Sequence, residues 1–269
     1  MAADHSYVPH AFSHIDAHPD PARLVRTLYR LDAEPFFASY KQRLRHLLRA
    51  RPGQSFLDAG AGTGQAACRL ADETGARVTA CDLSTVMCNE MSRSGLSRVA
   101  VADVQQLPFR DAAFDGAWAD RILQHVGDPD RALSELVRVV RPGGRIVVCT
   151  PDAGTQALDI ADHELAAKVL GLRRTRNVLH GTVARRVPGV LAGHGLREIE
   201  IEARTLLVRD RRTMDGTIGI RDWADTFAEH GYLDRSEADR FNALLDDAVR
   251  SGRFLYAVTY FLTSATVPA

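Results

Sequence analysis

The sequence predicts an α/β fold built on a doubly wound, seven-stranded and mostly parallel sheet, with a helical cap. Three observations point to it: strand and helix patterns alternate from residue 55 to residue 150, a glycine-rich turn follows the first strand, and two helical stretches interrupt the later part of the chain. Alternation of this kind favours a parallel sheet covered by helices on both faces. A chain of 269 residues with 45% hydrophobic content can bury one large core.

The elements of the first half follow in a regular order. Helices are expected at 21–31 and 35–50, and Pro52-Gly53 ends the second. Strands are predicted at 55–59, 77–82, 98–102, 114–119 and 145–149, with helices at 65–74, at 85–92 and from Asp128. Asp128 followed by Pro129 is a typical helix start, because aspartate accepts from free N–H groups and proline has none to satisfy.

After the fifth strand the spacing loosens. Helices are expected at 155–172 and 182–194, a sixth strand at 197–208, a helical stretch at about 213–250 and a last strand at 254–262. We therefore expect an N-terminal helical cap segment over residues 1–50. Residues 51–269 would form the core, with helical insertions at about 153–180 and 209–252.

The segment from Phe56 to Gly64 carries the clearest chemical signal. It predicts a buried strand that enters a turn with Gly60, Gly62 and Gly64. Glycine lets the backbone turn sharply and approach a ligand closely, and the next helix would present free N–H groups to an acidic part of that ligand. A dinucleotide-binding turn is an alternative if Ala67 takes the last glycine position, but that interpretation leaves Asp58 unexplained.

The pattern Asp58-x-Gly60-x-Gly62-x-Gly64 resembles the first motif of class I S-adenosylmethionine (SAM)-dependent methyltransferases, which have a Rossmann-like fold. Further segments resemble the same family in the expected order: Asp82 after the second strand, residues 102–109 followed by Phe114-Asp115, and residues 136–144. The last segment is similar to the small-molecule branch of the family, which includes quinone and sugar methyltransferases. The resemblance covers roughly residues 50–150.

The resemblance implies which residues bind SAM. They are Asp58, Gly60, Gly62, Gly64, Asp82, Leu83, Asp103, Val104 and Asp120. Asp82 would bind both ribose hydroxyls, since a carboxylate accepts two hydrogen bonds at once, while Leu83 would pack on the adenine. Asp103 would accept from the adenine amino group, the Val104 N–H would meet a ring nitrogen, and Asp120 would line the methionine end. A helix-capping acid at Asp82 and a turn acid at Asp103 are the simpler alternatives.

His125 is the candidate general base. It lies just over one helical turn beyond Asp120, and an imidazole with an ordinary pKa of about 6.5 suits proton removal from a hydroxyl. A histidine that packs or caps the loop before Asp128 is the alternative. Sugar O-methyltransferases that resemble this stretch have two adjacent histidines here and an acid after the fifth strand, where this chain has Gln124-His125 and Thr150. Alignment of the reacting atoms without a base is therefore left open.

Charge and cysteine content restrict the partners and the location. Equal numbers of basic and acidic residues, 34 of each, argue against nucleic acid and anionic membranes. Two basic clusters, at 173–176 and 209–212, are interpreted as solvated surfaces, with a phosphate or RNA site as the alternative. Four cysteines without a C-x-x-C pair indicate a reducing, cytoplasmic setting. No apolar run approaches the roughly twenty residues needed to span a bilayer, so a soluble protein is expected. His14 and His18 lack a clear third ligand, so no metal site is expected.

These observations predict a SAM-dependent methyltransferase that acts on a small molecule and releases S-adenosylhomocysteine. Methylation of oxygen is preferred to methylation of carbon or nitrogen, and resemblance alone suggests secondary metabolism. Aromatic residues of the expected cap favour an apolar or cyclic acceptor: Tyr7, Phe12, Tyr29, Phe36, Phe37, Trp223 and Phe227. The alternatives are a cyclisation or elimination enzyme that holds SAM structurally, a non-catalytic SAM-binding protein and a nicotinamide-dependent dehydrogenase. A homodimer is left open.

Overall fold

The structure is a computed structural model that describes residues 15–269. Tyr7 and Phe12, expected beside the acceptor, and His14, considered as a metal ligand, lie outside the described residues. The helices are α1 (Pro21–Ala33), α2 (Pro35–Leu47), α3 (Gln65–Thr74), α4 (Thr85–Arg93), α5 (Pro129–Val139), α6 (His163–Leu172), α7 (Val187–Gly193), α8 (Arg211–Thr213), α9 (Ile220–Glu229) and α10 (Arg235–Arg250). The strands are β1 (Ser55–Ala59), β2 (Arg77–Asp82), β3 (Val99–Val101), β4 (Phe114–Asp120), β5 (Val140–Asp159), β6 (Arg197–Val208) and β7 (Leu255–Thr266).

The seven strands form one sheet in the order β3-β2-β1-β4-β5-β7-β6. The pairs β1–β2, β1–β4, β2–β3 and β4–β5 are parallel, which confirms the predicted fold class. From β1 the chain proceeds outward through β2 and β3, and it then returns to the other side of β1 as β4. In open sheets of this kind, ligands bind beyond the carboxyl ends of the strands at such a reversal.

Local sequence signals located most elements of the first half correctly. The predicted bounds of β1, α3, β2 and β6 agree with the structure. The helix predicted to begin at residue 155 is wrong, because β5 continues to Asp159 as a hydrogen-bonded neighbour of β7. Thr155 Oγ1 accepts from the Thr259 N–H at 2.9 Å, and α6 begins only after Asp162, which accepts from the Leu165 N–H at 3.0 Å.

The described residues divide into two compact units. The first, here called the sheet unit, contains residues 15–150, 183–204 and 261–269 and therefore includes α1 and α2. Its core is built from inward-facing strand residues that are fully buried, such as Leu57, Ala117 and Ile146. The second, here called the insertion unit, contains residues 151–182 and 205–260.

The insertion unit is largely helical and has a core of its own. Phe227 of α9 and Phe241 and Leu245 of α10 are fully buried. Two short π-helical turns interrupt its helices, at Arg173–Asn177 and Met214–Ile218. None of the helices within residues 15–269 is long and apolar enough to cross a membrane.

Position 60, directly after β1, requires glycine for two reasons: the backbone angle φ is positive, and there is no space for a Cβ. Its φ is +72°, and an added Cβ would lie 2.3 Å from Cδ1 of Ile122 and 2.5 Å from its Cγ1. Gly143 provides a matched comparison, because its φ is +76° but an added Cβ would meet nothing within 4 Å.

We predict that Gly60→Ala destabilises the fold more than Gly143→Ala does. Each variant should lose about 1–2 kcal/mol to the left-handed backbone, and Gly60→Ala should lose about 1–3 kcal/mol more because Ile122 has to move. Urea-induced unfolding of both variants measures the difference. Equal losses would show that the backbone does not approach Ile122 closely.

Candidate active site

Three acids lie where parallel strands of the sheet unit end. Asp58 is the penultimate residue of β1, Asp82 ends β2 and Asp120 ends β4. In register, Asp58 lies between Ala80 of β2 and Trp118 of β4. Because these strands are parallel and adjacent, the structure brings the three predicted acids to one edge of the sheet at its reversal.

The glycine turn connects β1 to α3 in a left-handed conformation. Gly60, Gly62 and Gly64 have φ values of +72°, +57° and +74°. The Gly60 and Ala61 N–H groups donate to the Cys81 carbonyl at 2.8 and 2.9 Å. Gly64 is the N-cap of α3, and within the described residues no side chain caps this helix. Its first N–H groups are therefore available to a ligand.

Asp82 holds the turn and the following loop together. Its Oδ2 accepts from the Gly62 N–H and its Oδ1 from the Ser84 N–H, both at 2.9 Å. Burial raises the pKa of Asp82, and the hydrogen bonds from Ser84 and Gly62 oppose this rise. The helix cap of α4 is Ser84, whose Oγ accepts from the Met87 N–H at 3.2 Å. Each Asp82 oxygen keeps a lone pair for a further donor.

Asp16 was not predicted and lies at the amino end of α4. Its carboxylate accepts from the Thr85 N–H at 2.8 Å and the Val86 N–H at 3.2 Å, and also from the Ser84 hydroxyl. Burial raises the pKa of Asp16, but these hydrogen bonds outweigh it and the net shift is downward. The interaction attaches residues 15–16 beside Leu83, whose side chain is 67% exposed.

Asp58 is an ionisable acid in an almost fully buried position. It is 2% exposed, and its Oδ2 has no hydrogen-bond partner among residues 15–269. Burial raises the pKa of Asp58 well above its usual value; nearby Lys41 lowers it, and Asp120 and Asp82 raise it. A buried polar atom without a partner is costly. The arrangement favours a ligand that brings a positively charged donor to this oxygen.

Two side chains of α2, Tyr40 and Lys41, contact the Asp120 carboxylate. The Tyr40 hydroxyl lies 3.1 Å from both Asp120 oxygens. Lys41 Nζ lies 3.5 Å from Asp120 Oδ2 and 2.5 Å from Asp32 Oδ1, and the three charged side chains are only 10–14% exposed. Arg121 Nε lies 3.8 Å from the same Asp120 Oδ2. Two cations, Lys41 and Arg121, therefore face the carboxylates of Asp32 and Asp120, and the Lys41 charge also lowers the pKa of Asp58.

Lys41 and Tyr40 were missed by sequence reasoning, although one signal was available. Lys41 is one of only two lysines in a chain that otherwise uses arginine for its basic side chains. A compact ammonium fits between two carboxylates where a planar guanidinium demands more room.

Arg121, the residue after β4, adopts an unusual backbone conformation. Its φ is +60°, which is rare outside glycine and is often associated with functional sites. The Arg121 N–H donates to the Cys149 carbonyl at 2.8 Å. Its guanidinium carbon lies 5.2 Å from the centre of the Phe37 ring. The chain thus leaves the sheet sharply at the carboxyl end of β4.

Asp103 forms a tight turn in the loop after β3. Its Oδ1 accepts from the Gln105 N–H at 2.8 Å, and Gln105 Nε2 lies 3.1 Å from both carboxylate oxygens. Val104, between them, is buried. The structure therefore realises the turn-acid alternative for Asp103. Its role as adenine acceptor stays a prediction, compatible with the remaining lone pairs of the carboxylate.

His125 lies half-buried in the turn between β4 and α5. The backbone N–H of His125 donates to the Ile122 carbonyl at 2.8 Å. The neighbouring Gln124 side chain is buried and donates from Nε2 to the Arg121 carbonyl at 2.8 Å. Thr150, where the sugar O-methyltransferases have an acid, lies within β5 and is 1% exposed. The general-base role of His125 stays a prediction.

We predict that Asp58→Asn stabilises the folded chain at neutral pH. Because the folded state raises the pKa of Asp58, the wild-type chain loses stability as the pH rises from the usual carboxyl value of 3.8 towards the raised one. The advantage of the asparagine should therefore grow with pH in this range and disappear below pH 3.8, where both states are protonated.

Urea unfolding of the wild type and of Asp58→Asn over a series of pH values tests this expectation. Asp72→Asn, on an exposed position of α3, is the control and should show no such trend. A difference between Asp58→Asn and the wild type that does not change with pH would contradict the raised pKa.

Comparison with known proteins gives consistent relatives. Residues 57–148 match the protein family described as "Methyltransferase domain". An uncharacterised 37.1 kDa protein in transposon TN4556 of Streptomyces fradiae is 31% identical over 253 residues, which are 92% of this chain and 71% of that protein. A malonyl-[acyl-carrier protein] O-methyltransferase of Herminiimonas arsenicoxydans is 32% identical over 194 residues, 70% of this chain and 70% of that enzyme.

Among solved structures, the [4+2]-cyclase SpnF has the same fold. It superposes with a TM-score of 0.60 at 21% identity, covering 98% of both chains. At this identity the likeness concerns the fold and not the reaction. Together with the acid and glycine turn at the reversal of a doubly wound sheet, the sequence relationships show that this chain belongs to the class I SAM-dependent methyltransferases, which use SAM as methyl donor.

Proposed function

We propose that this enzyme transfers the methyl group of SAM to an oxygen atom of a small-molecule acceptor in secondary metabolism. The observation that carries the proposal is Asp58, a buried acid beside the glycine turn whose Oδ2 has no partner among residues 15–269. The similarity to a malonyl-[acyl-carrier protein] O-methyltransferase supports oxygen as the methylated atom.

The charge of SAM fits this site. SAM carries a positive sulfur and, at neutral pH, a positive amino group. Opposite charge nearby favours the ionised form of a carboxyl, so a cation at Asp58 offsets the cost of burying its charge. Asp120, held by Tyr40 and Lys41, would line the methionine end.

The remaining cofactor contacts follow from the resemblance and from the hydrogen bonds described. Asp82 would accept from the two ribose hydroxyls with the lone pairs that Gly62 and Ser84 leave free. Leu83, which is largely exposed, offers an apolar surface to the adenine. Asp103 and the Val104 N–H would read the edge of the adenine ring.

When bound, SAM supplies an electrophilic methyl group on sulfur. The chain has to align the acceptor oxygen with that methyl group and to exclude water. His125 would accept the proton that the acceptor hydroxyl loses as its oxygen bonds to carbon. Phe36 of α2, which is only partly buried, supports an acceptor with an apolar or cyclic body, whereas Phe37 and Phe227 are core residues.

The alternative is an enzyme that catalyses a cyclisation or an elimination, because a [4+2]-cyclase has the same fold. Incubation with methyl-labelled SAM and a panel of phenols, carboxylic acids and hydroxylated rings separates the two. Label in the product supports methyl transfer. Conversion of an acceptor while all label stays on SAM would favour the alternative, and SAM binding without any conversion would favour a binding protein.

We predict that Asp82→Ala weakens SAM binding by about 1–3 kcal/mol, because hydrogen bonds to a charged group are lost. Calorimetric titration with SAM measures the change, and Asp72→Ala, on the exposed side of α3, is the control. An unchanged affinity in Asp82→Ala would remove this residue from the cofactor site.

We predict that His125→Ala lowers turnover by about 10²–10⁴-fold, the usual contribution of a general base, with SAM affinity unchanged. Turnover with an acceptor found in the labelling assay measures it, and the exposed His46→Ala is the matched control. Wild-type turnover in His125→Ala would mean that alignment suffices without this base.

A further inference from the structure

The insertion unit contains a guanidinium group whose charge no acidic side chain balances. Arg173 begins the π-helical turn that directly continues α6. Its Nη1 donates to Asn177 Oδ1 at 2.6 Å, and its guanidinium carbon lies 4.0 Å from the centre of the Trp223 ring. Over residues 15–269, Arg173 makes no ion pair with a carboxylate, and no acid contributes to its pKa shift.

A shortage of acids in this unit does not explain the missing partner. Other basic residues of the same unit pair with acids: Lys168 with Glu237 at 2.6 Å, Arg240 with Asp162 at 2.8 Å, Arg211 with Asp246 at 2.8 Å, and Arg235 with Asp225. Arg173 differs from these arginines because its neighbours are aromatic and amide side chains.

The surroundings of Arg173 are apolar and largely closed. Trp223, Tyr256 and Tyr260 are 6%, 2% and 7% exposed. The Tyr256 ring packs edge-on against Trp223 with 5.7 Å between the ring centres. Burial lowers the pKa of Arg173, and Tyr256 and Tyr260 oppose this shift. Arg173 itself is nevertheless only half-buried, so solvent reaches part of it.

A second polar group in this cluster also lacks a partner. Gln156 Nε2 donates to the Tyr256 hydroxyl at 2.8 Å. Its Oε1 is buried and has no hydrogen-bond partner among the residues that the structure describes. Because an amide oxygen accepts, Gln156 Oε1 would meet a donor group of a ligand and not the acidic group that Arg173 would bind.

The Arg173 guanidinium, in these surroundings, is suited to binding a planar anion. Arginine stays charged even where burial lowers its pKa, and buried charges in proteins are normally paired. A guanidinium has five N–H donors in a fixed fork that matches the oxygens of a carboxylate or phosphate. Asn177 and the face of Trp223 hold that fork in one plane. The π-helical turn that positions it is a rare element, often found at functional sites.

Within the basic cluster 173–176, the solvated-surface interpretation suits Arg174, which is exposed. Arg176 lies over the Tyr232 ring, with its guanidinium carbon 5.3 Å from the ring centre. Arg173 is the member that the interpretation does not explain. Arg174 therefore offers a control for Arg173 on the same turn.

We propose that Arg173 binds the carboxylate or phosphate group of a small-molecule ligand, with Asn177 and Trp223 fixing the orientation of the guanidinium. The inference goes beyond the proposed function and concerns residues of the insertion unit alone.

The test uses the full chain and three probes of similar shape: benzoate, phenyl phosphate and neutral benzamide. Calorimetry measures their affinities for the wild type, Arg173→Gln and Arg174→Gln. The wild type should prefer an anionic probe to benzamide by about tenfold or more, the scale of a charge-assisted hydrogen bond. Arg173→Gln should lose this preference and Arg174→Gln should keep it. Stronger binding of benzoate or of phenyl phosphate identifies the acidic group.

A wild-type chain without preference for the anions, or equal losses in the two variants, would overturn the proposal. If Arg173→Gln does not fold, the anion preferences of Arg173→Lys and Arg174→Lys are compared instead. Lysine keeps the charge but lacks the fork, so only the first of these variants should lose the preference. SAM binding and label transfer are measured separately, so failure of the proposed function stays distinguishable from failure of the anion site.

Discussion

The burial of acids beside the ends of β1 and β4 is the constraint on which the site depends. Lys41 pairs with Asp32 and Asp120, and Arg121 lies 3.8 Å from Asp120. Asp58 Oδ2 has no hydrogen-bond partner among residues 15–269. Burying a carboxyl without a full partner costs stability, and such perturbed groups concentrate at functional sites. A cationic cofactor bound here, as we propose, would offset this cost.

The zero net charge of the chain conceals two local imbalances of opposite sign. Among residues 15–269, the sheet unit has a buried acid, Asp58, whose Oδ2 has no hydrogen-bond partner, and the insertion unit has Arg173 without an acidic partner. Whole-chain charge describes long-range attraction to nucleic acid or membranes. It carries no information about charges that protein atoms enclose. A positively charged methyl donor and the anionic ligand that we propose for Arg173 are each compatible with a chain that is neutral as a whole.

Sequence patterns located elements well wherever the signal was local. The glycines around α3 and the Asp128-Pro129 pair mark helix ends through backbone angles and capping, which act within a few residues. The carboxyl end of β5 was predicted wrongly because it depends on β7, which lies about one hundred residues further along the chain. Thr155 belongs to a strand that contacts Thr259, and a short stretch of sequence around residue 155 does not contain that partner.

By itself, the sequence predicted a doubly wound sheet and placed Asp58, Asp82 and Asp120 in or next to strand ends, because hydrophobic period and turn chemistry follow from short-range rules. Only the tertiary structure decided which of these acids has a partner. Lys41 reaches Asp120 across seventy-nine residues of chain, and Trp223 covers Arg173 from fifty residues away. Charge balance inside a protein is a sum over neighbours in space, and those neighbours are chosen by packing.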